Sequence, residues 1–262
     1  DRAARRSNAR LAYVAAGLID QRLAEMAGRE RDSAPTIGFD LAGIKARIQK
    51  APALRPAREP GPVDVDMVAA MLGEDGPLAA SLPGFEHRAE QVAMARAVAE
   101  AVNAGTGGGN GRLIVEAGTG VGKSLAYLLP AVIYGLQNDA RVVVSTNTIN
   151  LQEQLLSKDL PVLLRALEAA GVEGVDPNDL RATQLKGRSN YLCLNRLLRL
   201  RASESPSEPE ARMFSKLLVW LRNTKTGDRS ELNLGGRSVA ALWDRLSAQG
   251  ASDCNGVSGV CF

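Results

Sequence analysis

Residues Ala117, Gly118, Thr119, Gly120, Val121, Gly122, Lys123 and Ser124 have the spacing of a Walker A phosphate loop, with alanine in place of the usual first glycine. Glycines let backbone N–H groups turn toward phosphate oxygens, and the start of a following helix adds the favourable end of its dipole. Lys123 would neutralise the β- and γ-phosphates, and the Ser124 hydroxyl would ligate Mg²⁺. Thr119 and Gly120 are expected to line the loop. A plain strand-to-helix turn would need neither the lysine nor the serine at this spacing. Upstream, Phe85, Arg88 and Gln91 stand just before a helical pattern, where an amide can read an adenine edge and a ring or guanidinium can stack on the base. The same three residues also suit an ordinary helix start with solvated polar side chains.

The elements that must position this loop are legible as patterns. Leu113, Ile114 and Val115 form a short continuous apolar run that suits a buried parallel strand. After Lys123, the positions Leu125, Leu128, Leu129 and Val132 repeat at helical spacing, and 141–145 reads as a second buried strand. Strand, loop, helix and strand in this order predict an α/β core. A helix over 89–102 is expected to bury Met94, Ala95, Val98 and Val102. Beyond 150, helical patterns dominate, with a strand expected near 182–185 and helices over 191–200, 208–222 and 239–246. An amphipathic helix is expected over 8–28 and a shorter one over 39–48. The four prolines within 51–62 predict a linker.

Composition narrows the function classes. The 262 residues, 45% hydrophobic and 23% charged, are enough for one or two ordinary cores. A formal charge of +3 is too mild to mark a nucleic-acid binder by itself. No apolar stretch approaches the roughly 20 residues of a membrane span, and the best candidate, 125–136, is broken by Pro130. An integral membrane protein is therefore not expected. Three cysteines point to intracellular thiols or metal ligation rather than a disulfide framework, and a cytoplasmic location is expected. The single histidine, His87, removes most centres that need imidazole. The opening at Asp1, with Arg2, Arg5 and Arg6 and no apolar leader, reads as a cut or processed terminus.

Taken together, the segments 85–91, 116–124 and 145–155 resemble the early motor motifs of DinG-type DNA helicases, which are XPD-like members of superfamily 2. The resemblance implies a P-loop NTPase, RecA-like parallel-sheet lobe with a largely helical insertion and a helical N-terminal segment. The run 145–155 is similar to the family's Ia region, so Thr146, Asn147, Thr148 and Gln152 are expected to contact the backbone of single-stranded DNA. Small hydroxyl and amide groups at a strand end can donate to phosphates without reading bases. Helix capping by Thr148 or Asn150 is the competing account.

Residues 185–193 look like the entry to the family's iron–sulfur insertion, which implies Cys193 as first ligand and Cys254 and Cys261 as later ones. A [4Fe–4S] cluster normally takes four cysteines, and 255–260 contain none where the family has a tight trio. Free thiols and a zinc site stay open as alternatives. The resemblance covers 63–262, with 63–185 as the first motor lobe and 186–262 as the truncated start of the insertion; 1–62 matches none of the motor motifs and is expected to be a helical connector with a Pro-rich linker. Some relatives carry an exonuclease domain upstream, but 1–62 has no acidic cluster to hold two catalytic metals, and a docking helix is expected there.

The implied function is an ATP-dependent, 5′-to-3′ DNA helicase of DNA repair, using ATP, Mg²⁺ and a [4Fe–4S] cluster and acting as a monomer on single-stranded or forked DNA. The chain contains no Asp-Glu-Ala-His box, so it is expected to be a partial motor with negligible turnover of its own. The alternative is a non-catalytic nucleotide- and DNA-binding module. An unrelated P-loop phosphotransferase is a third reading, against which the run 186–193 argues.

Overall fold

The computed structural model describes residues 53, 55–197, 216–217, 219–221, 223–232 and 237–249. The helices expected over 8–28 and 39–48 lie outside the described residues, as do Cys254, Cys261 and much of the expected helix 208–222. The chain divides into two compact units, 52–185 and a second whose described part starts at Lys186. No described helix is long and apolar enough to cross a membrane.

In the first unit, α1 spans Val65–Met71 and is capped by Asp64, whose carboxylate accepts from the Asp66 and Met67 amides. Proline opens α2, Pro77–Ser81, at a position where its missing N–H costs nothing. The long α3, Ala89–Thr106, packs on α1 and on α4, Lys123–Gln137. Ala95, Ala99 and Ala126 are fully buried where these helices meet, and their small side chains let the axes approach closely. Then α5, Ile149–Gln154, runs through a π-helical turn, Leu155–Asp159, into α6, Leu160–Ala170. The last of these ends at Gly171 in the left-handed region, at φ 58°. Leu72, Leu78, Leu129, Ile133, Leu163 and Leu167 form the centre of the core.

The two runs expected as buried strands are non-helical, and among the described residues neither joins a ladder. Their exposure alternates with period two. Leu113 and Val115 are 42% and 40% exposed around Ile114 at 98%, and Val142 and Val144 are 42% and 38% exposed around Val143 at 82%. Val142 lies against the helical layer, with a methyl 3.6 Å from where a Cβ on Gly135 of α4 would stand. The run 142–144 thus has its Val142 flank toward α4 and Val143 toward solvent.

Sequence reasoning reads 51–62 as a linker, yet 55–63 is strapped onto this unit. Asn138, only 3% exposed, accepts from the Gly61 amide at 2.7 Å and donates to the Gly61 and Tyr134 carbonyls at 3.2 and 3.0 Å. Asn103 treats Val63 in the same two-pronged way, at 2.7 and 2.8 Å. Each carboxamide stands in for a neighbouring strand, satisfying both backbone groups of one residue. Proline-rich composition does not reveal this, because the partners lie 40 and 77 positions away.

In the second unit, a core of Leu192, Leu194, Leu197, Leu217, Trp220, Leu221, Leu242, Trp243 and Leu246 gathers around α7, Arg237–Leu246. Tyr191 bridges to Asp228 and Leu192 to Ser247, so the 191–193 segment lies between two others.

Candidate nucleotide site

Residues 112–116 lead without regular structure into the loop 117–122, and α4 begins at Lys123. Gly122 caps this helix at φ 82° and ψ 30° without a side-chain cap bond, which leaves the amides of the first turn free for an anion. A Cβ on Gly122 would be strained there and would also collide with the Gln91 amide, lying 2.8 Å from its carbonyl carbon. Gly120 is likewise in the left-handed region, at φ 87°. Gly118, Thr119 and Gly120 are exposed and Val121 is half-buried. The Lys123 ammonium donates to the carbonyls of Ala117 and Gly118 at 3.0 and 2.6 Å. Those two bonds must be exchanged when the ammonium turns to a phosphate.

Arg88 and Gln91 are brought to this loop. The Arg88 guanidinium donates to the Gly120 carbonyl and to Glu86 at 2.6 Å, and the Gln91 amide donates to the Gly122 carbonyl at 2.9 Å. Gln91 is only 4% exposed, so it supports the loop from beneath. An open pocket lined by Leu82, Pro83, Phe85, Glu86 and His87 adjoins Arg88 in the chain.

Tyr127 stands half-buried on α4, one turn beyond Ser124 on the first turn of the same helix. Burial pushes the Tyr127 pKa up from its ordinary 10.0; Ser124 opposes the shift, and the Asp159 carboxylate adds to it. Tyr127 and Asp159 are functional candidates that sequence reasoning missed. The three-residue spacing from Ser124 could have flagged Tyr127, whereas Asp159 had no signal.

Of the residues singled out after the run 142–144, Thr148 caps α5, its hydroxyl oxygen accepting from the Leu151 amide at 3.3 Å. Capping uses a lone pair and leaves the O–H proton free to donate, so it does not compete with a phosphate contact. Thr146 donates to the Thr148 carbonyl at 3.2 Å, Asn147 is exposed, and Gln152 accepts from Gln184 at 3.2 Å.

In the second unit, Cys193 is a half-buried free thiol whose amide donates to the Leu246 carbonyl at 2.8 Å. Among the described residues no three metal-binding side chains converge. The segment ahead of it is pinned from several sides. The Lys186 ammonium meets Asp228 and Ser230 at 2.9 Å each, the Lys186 amide donates to the Tyr191 hydroxyl at 2.8 Å, and the Trp243 indole donates to the Ser189 carbonyl at 2.8 Å. Burial pushes the Asp228 carboxyl up, but the Ser230 amide and the Lys186 ammonium outweigh it and hold the group below its ordinary 3.8.

The glycine-capped helix start, the inward lysine and the serine beside it are the features expected of a Walker A phosphate loop. No family model matches the chain. Among curated proteins it is 36% identical over 177 residues to a Bacillus subtilis protein named 3′-5′ exonuclease DinG, covering 67% of this chain and 17% of that one. It is 41% identical over 199 residues to the ATP-dependent helicase DinG of Mycobacterium tuberculosis, covering 70% and 28%. It is 37% identical over 167 residues to the ATP-dependent DNA helicase YoaA of Haemophilus influenzae, covering 63% and 23%. The chain belongs to the DinG-type helicase family, and spans between about a sixth and a little over a quarter of the length of these relatives.

Proposed function

We propose that this chain supplies the nucleotide-binding half of an ATP-dependent DNA helicase motor, which translocates 5′ to 3′ on single-stranded DNA at the cost of ATP. The observation that carries the reading is the Walker A loop, with its open helix start, two lysine–carbonyl bonds and a serine in place for Mg²⁺. Gly118, Thr119, Gly120, Val121 and Gly122 wrap the phosphates, Lys123 neutralises the transferred charge, and Ser124 holds the metal. Arg88 and Gln91 brace the loop from the adenine side.

The fold belonging to this function is a RecA-like sheet. The alternating exposure of 113–115 and 142–144 supports it, as two neighbouring strands of such a sheet would have one flank on α4 and await further strands and a second helical layer. Hydrolysis also needs an acidic residue to orient the attacking water, and the sequence has no Asp-Glu-Ala-His run. These 262 residues therefore bind nucleotide without turning it over, and the motor works as a monomer when complete.

Thr146, Asn147, Thr148 and Gln152 form the DNA contact, donating to phosphates from a loop and a helix start. The test is ATP hydrolysis by the full-length protein with and without single-stranded oligonucleotide. Stimulation by DNA is expected; nucleotide binding without any turnover would leave a non-catalytic binding module instead.

The second unit fits the start of an iron–sulfur domain in one respect: its soft sulfur ligand, Cys193, sits on a segment fixed by the Cys193 amide donating to the Leu246 carbonyl and the Ala248 amide donating to the Tyr191 carbonyl. The chain continues from there to Cys254 and Cys261, which would be further ligands. When bound, such a cluster supplies covalent cross-linking of the insertion. Anaerobically purified full-length protein is expected to hold about four iron per chain and to lose them in Cys193→Ser. Iron content untouched by that change would remove Cys193 from the ligand set.

A further inference from the structure

Two carbonyls of the phosphate loop are held by side chains from the start of α3. The Gly122 carbonyl accepts from the Gln91 carboxamide at 2.9 Å and from the Ala126 amide, the first backbone bond of α4, at 3.2 Å. The Gly120 carbonyl accepts from the Arg88 guanidinium, which Glu86 holds in turn at 2.6 Å. In a trans peptide the C=O and the following N–H point in opposite directions. Fixing the Gly122 carbonyl therefore fixes the Lys123 amide, and fixing the Gly120 carbonyl fixes the Val121 amide. The Gly122 carbonyl is directed along α4, so the Lys123 N–H leaves the open end of that helix, where an anion is received. Neither amide donates to another of the described residues.

Glycines are where such peptide planes would otherwise turn. Gly120 and Gly122 lie at φ 87° and 82°, and without a Cβ other backbone conformations are open to both at little cost. A carbonyl only accepts, so the Gln91 nitrogen must face Gly122 and holds one orientation of that peptide. Being buried, the Gln91 carboxamide has almost no surface left for a purine edge.

We propose that Gln91 is a positioning residue for the triphosphate and not a reader of the base: it keeps the Lys123 amide aimed at the phosphates, as Arg88 does for the Val121 amide. This inference rests on the nucleotide-site reading and deepens it, assigning the start of α3 to phosphate recognition. An amide already oriented meets the anion without a reorganisation cost. Without the Gln91 donor, the Gly122 carbonyl keeps only the Ala126 bond, and the peptide is free to turn. The phosphate chain is common to all nucleoside triphosphates, so the loss is the same whatever the base.

The test uses the full-length protein with Gln91→Met, which keeps the side-chain length and removes the donor, and Gln91→Glu, which keeps the shape and sets a carboxylate against the carbonyl. Binding of ATP, inosine triphosphate and inorganic tripolyphosphate, each with Mg²⁺, is measured by calorimetry, beside the melting curve of each nucleotide-free variant. In Gln91→Met the three affinities are expected to fall about tenfold by one common factor, matching within about twofold, and further in Gln91→Glu. Loss for ATP alone is the signature of a base reader and would overturn the proposal. Unchanged binding of all three, a Gln91→Glu variant as good as wild type, or a wild-type protein that binds ATP but no tripolyphosphate would overturn it too. If both Gln91 variants melt far below wild type, Arg88→Lys carries the test, since it keeps the charge of a partly exposed side chain and loses the fork that joins Glu86 to Gly120. A common loss across the three ligands is again expected, and no loss, or loss for ATP alone, overturns the assignment. A wild-type protein that binds neither ATP nor tripolyphosphate would instead overturn the nucleotide-site reading itself.

Discussion

Lys123→Ala in the full-length protein lowers ATP hydrolysis by about 100-fold or more, the scale on which loss of one preorganised charge-stabilising donor acts. The side chain is half-buried, hydrogen-bonds to the carbonyls of half-buried Ala117 and exposed Gly118, and is no part of the hydrophobic core, so its removal leaves the helical core of α1, α3, α4 and α6 intact. The melting curve should therefore hardly move while phosphate release collapses. Single-strand affinity should persist, because Thr146, Asn147, Thr148 and Gln152 lie on a different loop and helix. A variant that retains DNA-stimulated turnover would remove Lys123 from the phosphate site and with it the motor assignment. Lys123→Arg is a poor rescue, since a planar fork does not replace a compact ammonium among loop carbonyls.

The parts of the site legible in the sequence are those fixed by neighbours in the chain. Three glycines, a lysine and a serine at set spacing specify the loop, and the left-handed φ of Gly120 and Gly122 is the physical demand that the pattern expresses. Helical periodicity after Lys123 and around Met94 likewise reads out α4 and α3, which run a few residues past the expected ends. Pro130 sits inside α4 and does not end it, because the buried Leu128, Leu129, Val132 and Ile133 hold the helix against its core. What stayed hidden are pairings set by tertiary contact. Asn103 and Asn138 look like polar residues at helix ends until the backbone of Val63 and Gly61 is beside them. The sequence places the Gln91 amide near an adenine edge or at an ordinary helix start; what it does not encode is the bond from this buried amide to the Gly122 carbonyl. The π-turn has no signature either, since 155–159 continues an ordinary helical pattern.

Lys186→Met destabilises the second unit by about 3–5 kcal/mol, the usual cost of stranding one member of a buried ion pair. The Lys186 side chain is 2% exposed and that of Asp228 13%, so the remaining carboxylate would keep the Ser230 amide but lose its counter-charge. The chain's two tryptophans, Trp220 and Trp243, both lie in this unit, so their fluorescence in urea reports its unfolding separately from the first unit. Pairing Lys186→Met with Asp228→Leu should restore much of the loss, because an apolar pair of similar volume needs no desolvated charge. If both variants are equally unstable, the lysine acts through its stem packing and not through the pair. Acid gives an independent reading of the same contact. Folding holds the Asp228 pKa below 3.8, so the carboxylate contributes its full stabilisation above that value and loses it as pH falls through the lower folded value. Lys186→Met removes part of what lowers that pKa, and the acid slope of stability should flatten in the variant. Since Leu192 donates to Gly227 and Tyr191 bridges to Asp228, a weaker pair also loosens the strip that carries Cys193. For the proposed iron–sulfur cluster, the expected result is that iron retention in Lys186→Met at neutral pH falls without any cysteine having been touched.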